Sequence, residues 1–422
     1  MHTLSQLKSG ELSGIQRLSL SENLTSFPME ILSLADSLEI LDLTNNNLSS
    51  LPEELLQLQK LKILFVSDND FEELPEVLGQ CLNLEMIGFK SNKIKHVPEN
   101  ALPPKLRWLI LTDNQIAKMP DSLGERPRLQ KLALAGNRLT ELPQTLAKST
   151  NLELVRISAN QLTECPDQLL GLPKLAWFAF SGNPFSYSDI VIKSAPEIPS
   201  NSYELLEELG RGASGVISKA RWNQQQTEHH NLFQNDIAVK VFKGEVTSDG
   251  YPKDELNACL KVGNHPNLVK SLAQVNEIGL NGKGCLALIM SLIPPHFDNL
   301  GQPPNFETCT RDTFPDDFFL SIAQIQKIVG QMEDVFHHLH SSQVCHGDLY
   351  AHNALFDEEA NIIVGDFGAA TMYHMLNEKQ QAQIKQIEHR ALNYFIEDLL
   401  SVCREEDKTS ETYKNLERKI IG

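Results

Sequence analysis

Basic residues are scarce in this chain. Its 422 residues hold 37 Lys and Arg against 55 Asp and Glu, for a formal net charge of −18. A surface of that sign repels phosphate backbones and anionic lipid, so nucleic acid and a charged membrane face are excluded as expected partners. Long hydrophobic runs are missing as well. No apolar stretch reaches the roughly 18–20 residues that a membrane-spanning helix needs, so no membrane span is expected. The opening Met1-His-Thr-Leu-Ser-Gln-Leu-Lys8 has no apolar core segment of the kind a secretory leader carries, and the expected location is cytoplasmic. Cysteine is sparse. Cys81, Cys165, Cys259, Cys285, Cys309, Cys345 and Cys403 are odd in number, scattered, and contain no C-x-x-C. That pattern indicates neither a disulfide framework nor a zinc site, and reads as free thiols in a reducing compartment.

What the chain has in plenty is leucine at a fixed period. Aligned units begin at Ile15, Leu38, Leu61, Leu84, Leu106, Leu129, Leu152 and Leu175, 23 residues apart with one unit of 22. Each approximates L-x-x-L-x-L-x-x-N-x-L-x-x-L-P. The ninth position is Asn23, Asn46, Asn69, Asn92, Asn114, Asn137, Asn160 and Asn183. The L-x-L part alternates like a short strand with its leucines turned inward. Asparagine then turns the chain while its amide serves backbone groups inside the coil, which would otherwise cost about 1–3 kcal/mol each if left unsatisfied. Pro28, Pro52, Pro75, Pro98, Pro120, Pro143 and Pro166 start the convex side. The pattern resembles the leucine-rich repeat and implies a solenoid. The third position of each unit points to the concave face, and six of these eight residues are apolar: Ile40, Ile63, Met86, Trp108, Leu154 and Trp177. With Phe65 and Ile110 beside them they read as a protein-docking strip, anchored on Trp108 and Trp177.

The second half carries a different signature. His346-Gly-Asp-Leu-Tyr-Ala-His-Asn353 is followed thirteen residues later by Asp366-Phe-Gly368. Asp348 is placed to orient an attacking hydroxyl, and Asn353 and Asp366 offer the oxygen ligands that Mg²⁺ takes. Upstream, Leu209-Gly-Arg-Gly-Ala-Ser-Gly-Val216 matches G-x-G-x-x-G. An apolar run then ends in Lys240 (Ile237-Ala-Val-Lys), and Glu255 precedes His265-Pro-Asn-Leu-Val269. Each signal is weak alone; their order makes them strong together.

In that order the residues resemble the protein kinases. With the repeats ahead and no span between the parts, the chain resembles the cytosolic leucine-rich repeat protein kinases of bacterial type. The resemblance implies a multidomain α/β and α+β chain: a repeat solenoid over 1–188, a linker over 189–202, and a two-lobed kinase-like domain over 203–422 with a shortened C-lobe. It implies ATP and Mg²⁺ as cofactors. Gly210, Gly212 and Gly215 let the backbone approach the phosphates, with Val216 and Ala238 beside the nucleotide. Lys240 neutralises the α/β-phosphates and Glu255 holds it. Met290 sits at the gate of the adenine pocket, and Leu292 lies in the hinge that spans 291–293. Asp348, Lys240 and Asn353 are the catalytic set; Asn353 and Asp366 hold the metal. His346 and Phe367 are packing residues.

Several positions depart from the kinase pattern. Gly347 stands where an arginine usually receives a phosphate from the activation segment, and Tyr350 where a lysine is usual. No A-P-E follows Gly368; Glu378 to Leu400 reads instead as one helix, with Glu388 in place of the usual bracing aspartate. The peptide platform is thus expected to be shortened or missing. Thr371 and Tyr373 are the hydroxyls close behind the D-F-G. The expected activity is ATP-dependent transfer to a protein Ser or Thr. Two alternatives stand beside it: a nucleotide-binding scaffold without transfer, and a small-molecule kinase of the aminoglycoside or choline type.

Overall fold

The computed structural model describes residues 2–187, 195–212, 214–223, 236–243, 246–247, 249–278 and 284–421. The chain divides into two compact units. One is Met1–Leu175 with Asn183–Phe185, the other Ala176–Gly182 with Ser186–Gly422. Part of the expected linker, 188–194, lies outside the described residues, as do Ala213 of the glycine motif and the side chain of Cys285.

The first unit opens with a short helix α1 (Leu4–Ser9), capped by reciprocal bonds between Thr3 and Gln6. Seven three-residue strands follow: β1 (Arg17–Ser19), β2 (Ile40–Asp42), β3 (Ile63–Phe65), β4 (Met86–Gly88), β5 (Trp108–Ile110), β6 (Lys131–Ala133) and β7 (Leu154–Arg156). They pair in parallel, each central leucine, isoleucine or valine in register with the next (Leu18, Leu41, Leu64, Ile87, Leu109, Leu132, Val155). These centres are fully buried, as are Leu20, Leu43, Val66, Phe89 and Leu111 two residues on. The inward alternation of L-x-L is therefore realised. On the other side, 3-10 turns begin directly after Pro28, Pro52, Pro75, Pro120 and Pro143, and a single α-turn, α2 (Asp167–Leu170), after Pro166. Proline suits this place because its fixed φ starts a helical turn and its missing N–H is not needed there.

The asparagines form a ladder. The Nδ2 of Asn69 donates to Leu43 O in the preceding coil, and its Oδ1 accepts from Leu48 N at 2.8 Å. Asn92, Asn114, Asn137 and Asn160 repeat the arrangement. Asn23 differs: it is exposed at a φ of 55°. Each amide reaches back into the previous coil, and the first unit has none behind it.

The second unit begins with β8 (Trp177–Ala179). Then come β9 (Tyr203–Arg211), β10 (Gly215–Trp222), β11 (Ile237–Phe242), helix α3 (Pro252–Val262), β12 (Ser271–Ile278) and β13 (Gly284–Ser291). The five strands after β8 form one antiparallel sheet in the order β12-β13-β11-β10-β9. Its core is Ile198, Trp222, Ile237, Val239, Val275 and Ile289. Ile198 reaches that core because its N–H donates to Gln274 O while Gln274 N donates to Pro196 O, so residues 195–198 lie along β12. A helical lobe follows, with β14 (Asp298–Asn299), α4 (Ile322–Ser341), β15 (Val344–Cys345), β16 (Ala354–Phe356), β17 (Ile362–Val364), β18 (Thr371–Met372), α5 (Glu378–Ser401) and α6 (Glu411–Ile421). Ser321 with Gln324, and Asn377 with Gln380, cap the two long helices. β15 and β18 pair antiparallel, and β14-β16-β17 make a small sheet. The six cysteines whose side chains are described are free thiols.

The expected docking strip needs correction. Ile63, Met86, Leu154 and Trp177 are buried, and Trp177 is only 1 % exposed. Phe65 and Trp108 keep partial exposure. Neighbouring strands bring their large side chains together: Phe65 meets Trp108 edge to face at 6.4 Å, and the Lys131 ammonium sits 4.2 Å over the Trp108 ring. An anchor that is already covered cannot receive a partner.

Candidate active site

A cavity of about 780 Å³ opens in the second unit between the sheet and the helical lobe. Gly210, Gly212, Gly215, Ala238, Lys240, Glu255, Met290, Leu292, Asn353 and Asp366 all line it. Val216 does not; Ile217 takes that place, because alternation along β10 sends the side chains of 215, 217 and 219 to the cavity and that of 216 to the other face. Gly210 and Gly212 have open space where a side chain would stand, so the wall there is backbone alone. Gly215 is different. A Cβ on it would lie 2.4 Å from Val241 O, so glycine there permits the close pairing of β10 with β11.

Lys240 on β11 is joined to Glu255 on α3 by a buried ion pair. Burial alone lowers the affinity of the ammonium for its proton; the carboxylates of Glu255 and then Asp366 outweigh it and raise that affinity above the ordinary lysine value. The two partners are 9 % and 3 % exposed, so the pair is shielded from solvent on its way into the cavity. Asp366 is exposed by contrast, at a φ of 52°, and accepts a bond from Gly368 N.

Asp348 lies off the cavity wall and is tied to it through Asn353. The Asn353 Nδ2 donates to Asp348 O at 2.8 Å and to Asp348 Oδ2 at 3.1 Å. With its amide nitrogen spent there, Asn353 has its Oδ1 as the remaining side-chain oxygen for a cation. An exposed carboxylate and an amide oxygen of this kind are hard donors that suit Mg²⁺. His346 is fully buried, its Nε2 at 3.0 Å from Gly365 O and its ring 5.2 Å from that of Phe367, linking the two loops.

The backbone of the expected catalytic loop, 346–353, is braced from two sides. Gly347 N donates to Glu388 Oε1 at 2.8 Å, and Glu388 Oε2 sits 2.9 Å from His340 Nε2. Gly347 has a φ of 71°, and a Cβ there would meet Ala369 O at 2.6 Å. An arginine cannot occupy this position without displacing backbone, which accounts physically for the missing residue. The second brace escaped sequence reasoning. Asp312, in the irregular stretch before α4, accepts from Ala351 N at 2.6 Å, His352 N at 3.2 Å and His352 Nδ1 at 2.6 Å. Burial lowers the affinity of His352 for a proton, but the Asp312 carboxylate outweighs burial and raises it. Nothing in the local pattern flags Asp312. Asp249, which lines the cavity near Gly368, was missed for the same reason.

Beyond Phe367 the chain runs through β18 and turns at once into α5, which starts at Glu378. Thr371 and Tyr373 are 1 % and 0 % exposed. Thr371 pairs in β18, and the Tyr373 hydroxyl bonds His340 Nδ1 at 2.9 Å. Burial withholds both hydroxyls from any modifying enzyme.

Comparison with known proteins agrees with this geometry. Residues 203–393 match the protein kinase domain family. Residues 127–185 and 37–58 match leucine rich repeat families. The chain is thus a leucine-rich repeat region followed by a protein kinase domain. A serine/threonine-protein kinase of Debaryomyces hansenii is 25 % identical over 184 residues, covering 41 % of this chain and 27 % of that protein. Serine/threonine-protein kinase fray1 of Dictyostelium discoideum is 27 % identical over 193 residues, covering 43 % and 28 %. A probable cyclin-dependent kinase 10 of the same organism is 27 % identical over 178 residues, covering 41 % and 42 %. The chain therefore spans less than half the length of these relatives. All three are eukaryotic kinases, so the bacterial affiliation finds no support among them.

Proposed function

We propose that this protein is an ATP-dependent protein kinase that transfers the γ-phosphoryl group to a serine or threonine hydroxyl. The observation that carries the reading is convergence: Lys240, Glu255, Asn353 and Asp366, drawn from four separate stretches of sequence, line one cavity, and Asn353 ties Asp348 to it. Lys240, kept cationic, neutralises the α/β-phosphates. Gly210 and Gly212 leave backbone free to lie against them. Met290 and Leu292 line the adenine end. Asp348, aligned by the Asn353 amide, orients the acceptor hydroxyl and takes its proton as the oxygen attacks the γ-phosphorus and the bond to the departing ADP breaks. Asn353 and Asp366 would hold Mg²⁺, which supplies charge neutralisation at the β- and γ-phosphates when bound. Much of the rate comes from holding these groups in place before reaction.

The purified chain incubated with γ-labelled ATP, Mg²⁺ and a general protein substrate is expected to transfer label, and Asp348→Asn is expected to abolish transfer with nucleotide binding retained. Equal labelling by both chains sinks the assignment. One observation favours a second reading. The short path from Phe367 to α5 leaves little chain for a peptide platform, which suits a small acceptor. ATP consumption across a panel of amino alcohols, absent with protein substrates, would favour that reading.

The proposal extends to the rest of the molecule. Among the described residues no helix is long and apolar enough to cross a membrane, and we place the protein in the cytoplasm. The order of its parts is that of the bacterial repeat kinases, and that order is the basis for placing it with them. Phe65 and Trp108, which keep partial exposure and meet edge to face, form the docking point for a protein partner on the repeats.

A further inference from the structure

The strand β8 touches the catalytic loop on both sides of Asp348. Trp177 is buried, with its ring nearly parallel to that of Tyr350 at 4.4 Å and to that of Tyr394 at 5.3 Å. Its Nε1–H donates to the carbonyl of Leu349, the residue directly after Asp348, at 3.1 Å. One residue on, the Phe178 carbonyl lies 3.0 Å from where a Cβ on Gly347 would stand, directly before Asp348. Phe180 N donates to Thr371 Oγ1 on β18 at 3.3 Å. A strand of a few residues thus holds positions 347, 349, 350 and 371, all of them buried.

These contacts fall where the sequence departs from the kinase pattern. Gly347 replaces the phosphate-receiving arginine, Tyr350 replaces a lysine, and the segment after Gly368 is short. A kinase whose loop is ordered by an arginine and a phosphate can be switched by removing the phosphate. Here the groups that would form that lock are absent, and aromatic stacking with an indole hydrogen bond occupies the same stretch of backbone. Stacked rings carry few torsions, so they hold geometry with little residual freedom.

We propose that Trp177 is a positioning residue for phosphoryl transfer: its indole, stacked on Tyr350 and Tyr394 and bonded to Leu349 O, holds the catalytic loop in the geometry that Asp348 requires, in place of a phosphorylated activation segment. The inference rests on the kinase reading for its kinetic consequence and on the fold alone for its structural one, so it is tested both ways in the full chain.

The kinetic test compares Trp177→Ala, Trp177→Phe and Tyr394→Leu. Trp177→Ala is expected to lower kcat about tenfold to a hundredfold with KM for ATP changed less than about twofold, since only the transfer geometry is loosened. Trp177→Phe keeps a stacking ring and recovers much of the loss. Tyr394→Leu removes one stacking partner from outside the loop and gives a smaller fall in the same direction. The structural test is amide hydrogen exchange, where residues 347–353 should exchange faster in Trp177→Ala. A native kcat in Trp177→Ala overturns the proposal. So does a joint loss of kcat and ATP binding in both Trp177 variants, which marks a general folding role. If the native chain transfers no phosphate to any acceptor, the kinase reading fails by itself. The loop-holding role then stands on faster exchange at 347–353 and falls on unchanged exchange.

Discussion

Asp312 shows how much one side chain can do from an unpatterned stretch. Its carboxylate takes two backbone N–H groups and one imidazole N–H of the catalytic loop, and charge-assisted bonds of this kind are stronger than neutral ones. Asp312→Ala should lower kcat about tenfold or more while the chain stays folded, because the loop loses alignment rather than its reacting groups. Steady-state kinetics at saturating ATP, beside a melting curve, checks this. Gly347 offers a second test. Its positive φ and the Ala369 carbonyl leave no room for a methyl, and Gly347→Ala should destabilise the fold by about 1–3 kcal/mol in urea unfolding. A wild-type midpoint would show that the backbone there relaxes freely. Lys240 and Glu255 were legible in the sequence because they sit at fixed offsets within local patterns. Asp312 was not, because its acceptor role exists only once a loop 39 residues away folds against it.

At the scale of elements, the asparagine ladder carries the repeats. Asn92 takes Phe71 N at Oδ1 and gives its Nδ2 to Val66 O and Phe89 O. Asn92→Ala leaves these buried groups unpaired, and a loss of about 2–4 kcal/mol is expected from the usual cost of orphaned backbone polar groups. Hydrogen exchange should show the loss concentrated in the coils next to 92, since each repeat depends chiefly on its neighbours. Uniform loosening over the first unit would contradict that. The repeats were read from sequence nearly complete, down to the proline-started convex turns. Side-chain exposure on the concave face was not, because burial there depends on what neighbouring strands bring up, as Phe65 and Lys131 do around Trp108. The length of α5 was legible too, through helical spacing from Glu378 to Leu400, whereas its cap at Asn377 came only from the structure.

For the molecule as a whole, stability should vary with pH through Asp254. Burial in the first turn of α3 pushes its carboxyl up to about 6, and its Oδ2 has no hydrogen-bond partner among the described residues. The folded state therefore binds this proton more tightly than the unfolded chain. Asp254 favours the fold below the ordinary carboxylate value and loses that contribution as pH rises towards about 6. Asp254→Asn should accordingly raise the melting temperature at pH 8, by the equivalent of about 1–2 kcal/mol, and leave it little changed at pH 4. A gain of equal size at both pH values would show that charge is not the cause.

The amino-acid sequence alone determined the two-part plan, the repeat coil and the set Lys240, Glu255, Asp348, Asn353 and Asp366. Each of these is written as a short-range pattern: a period near 23, an alternation, or a motif a few residues long. Backbone geometry turns such patterns into structure without knowledge of distant partners. Only the tertiary structure decided that Trp177 is a buried brace and not an exposed anchor, that Asp312 holds the catalytic loop, and that Gly347 must be glycine. Trp177 meets Leu349 across 172 residues of chain, and no local pattern encodes a contact at that separation. A side chain's burial and bonding belong to whatever folds against it, and that is settled only when the whole chain is in place.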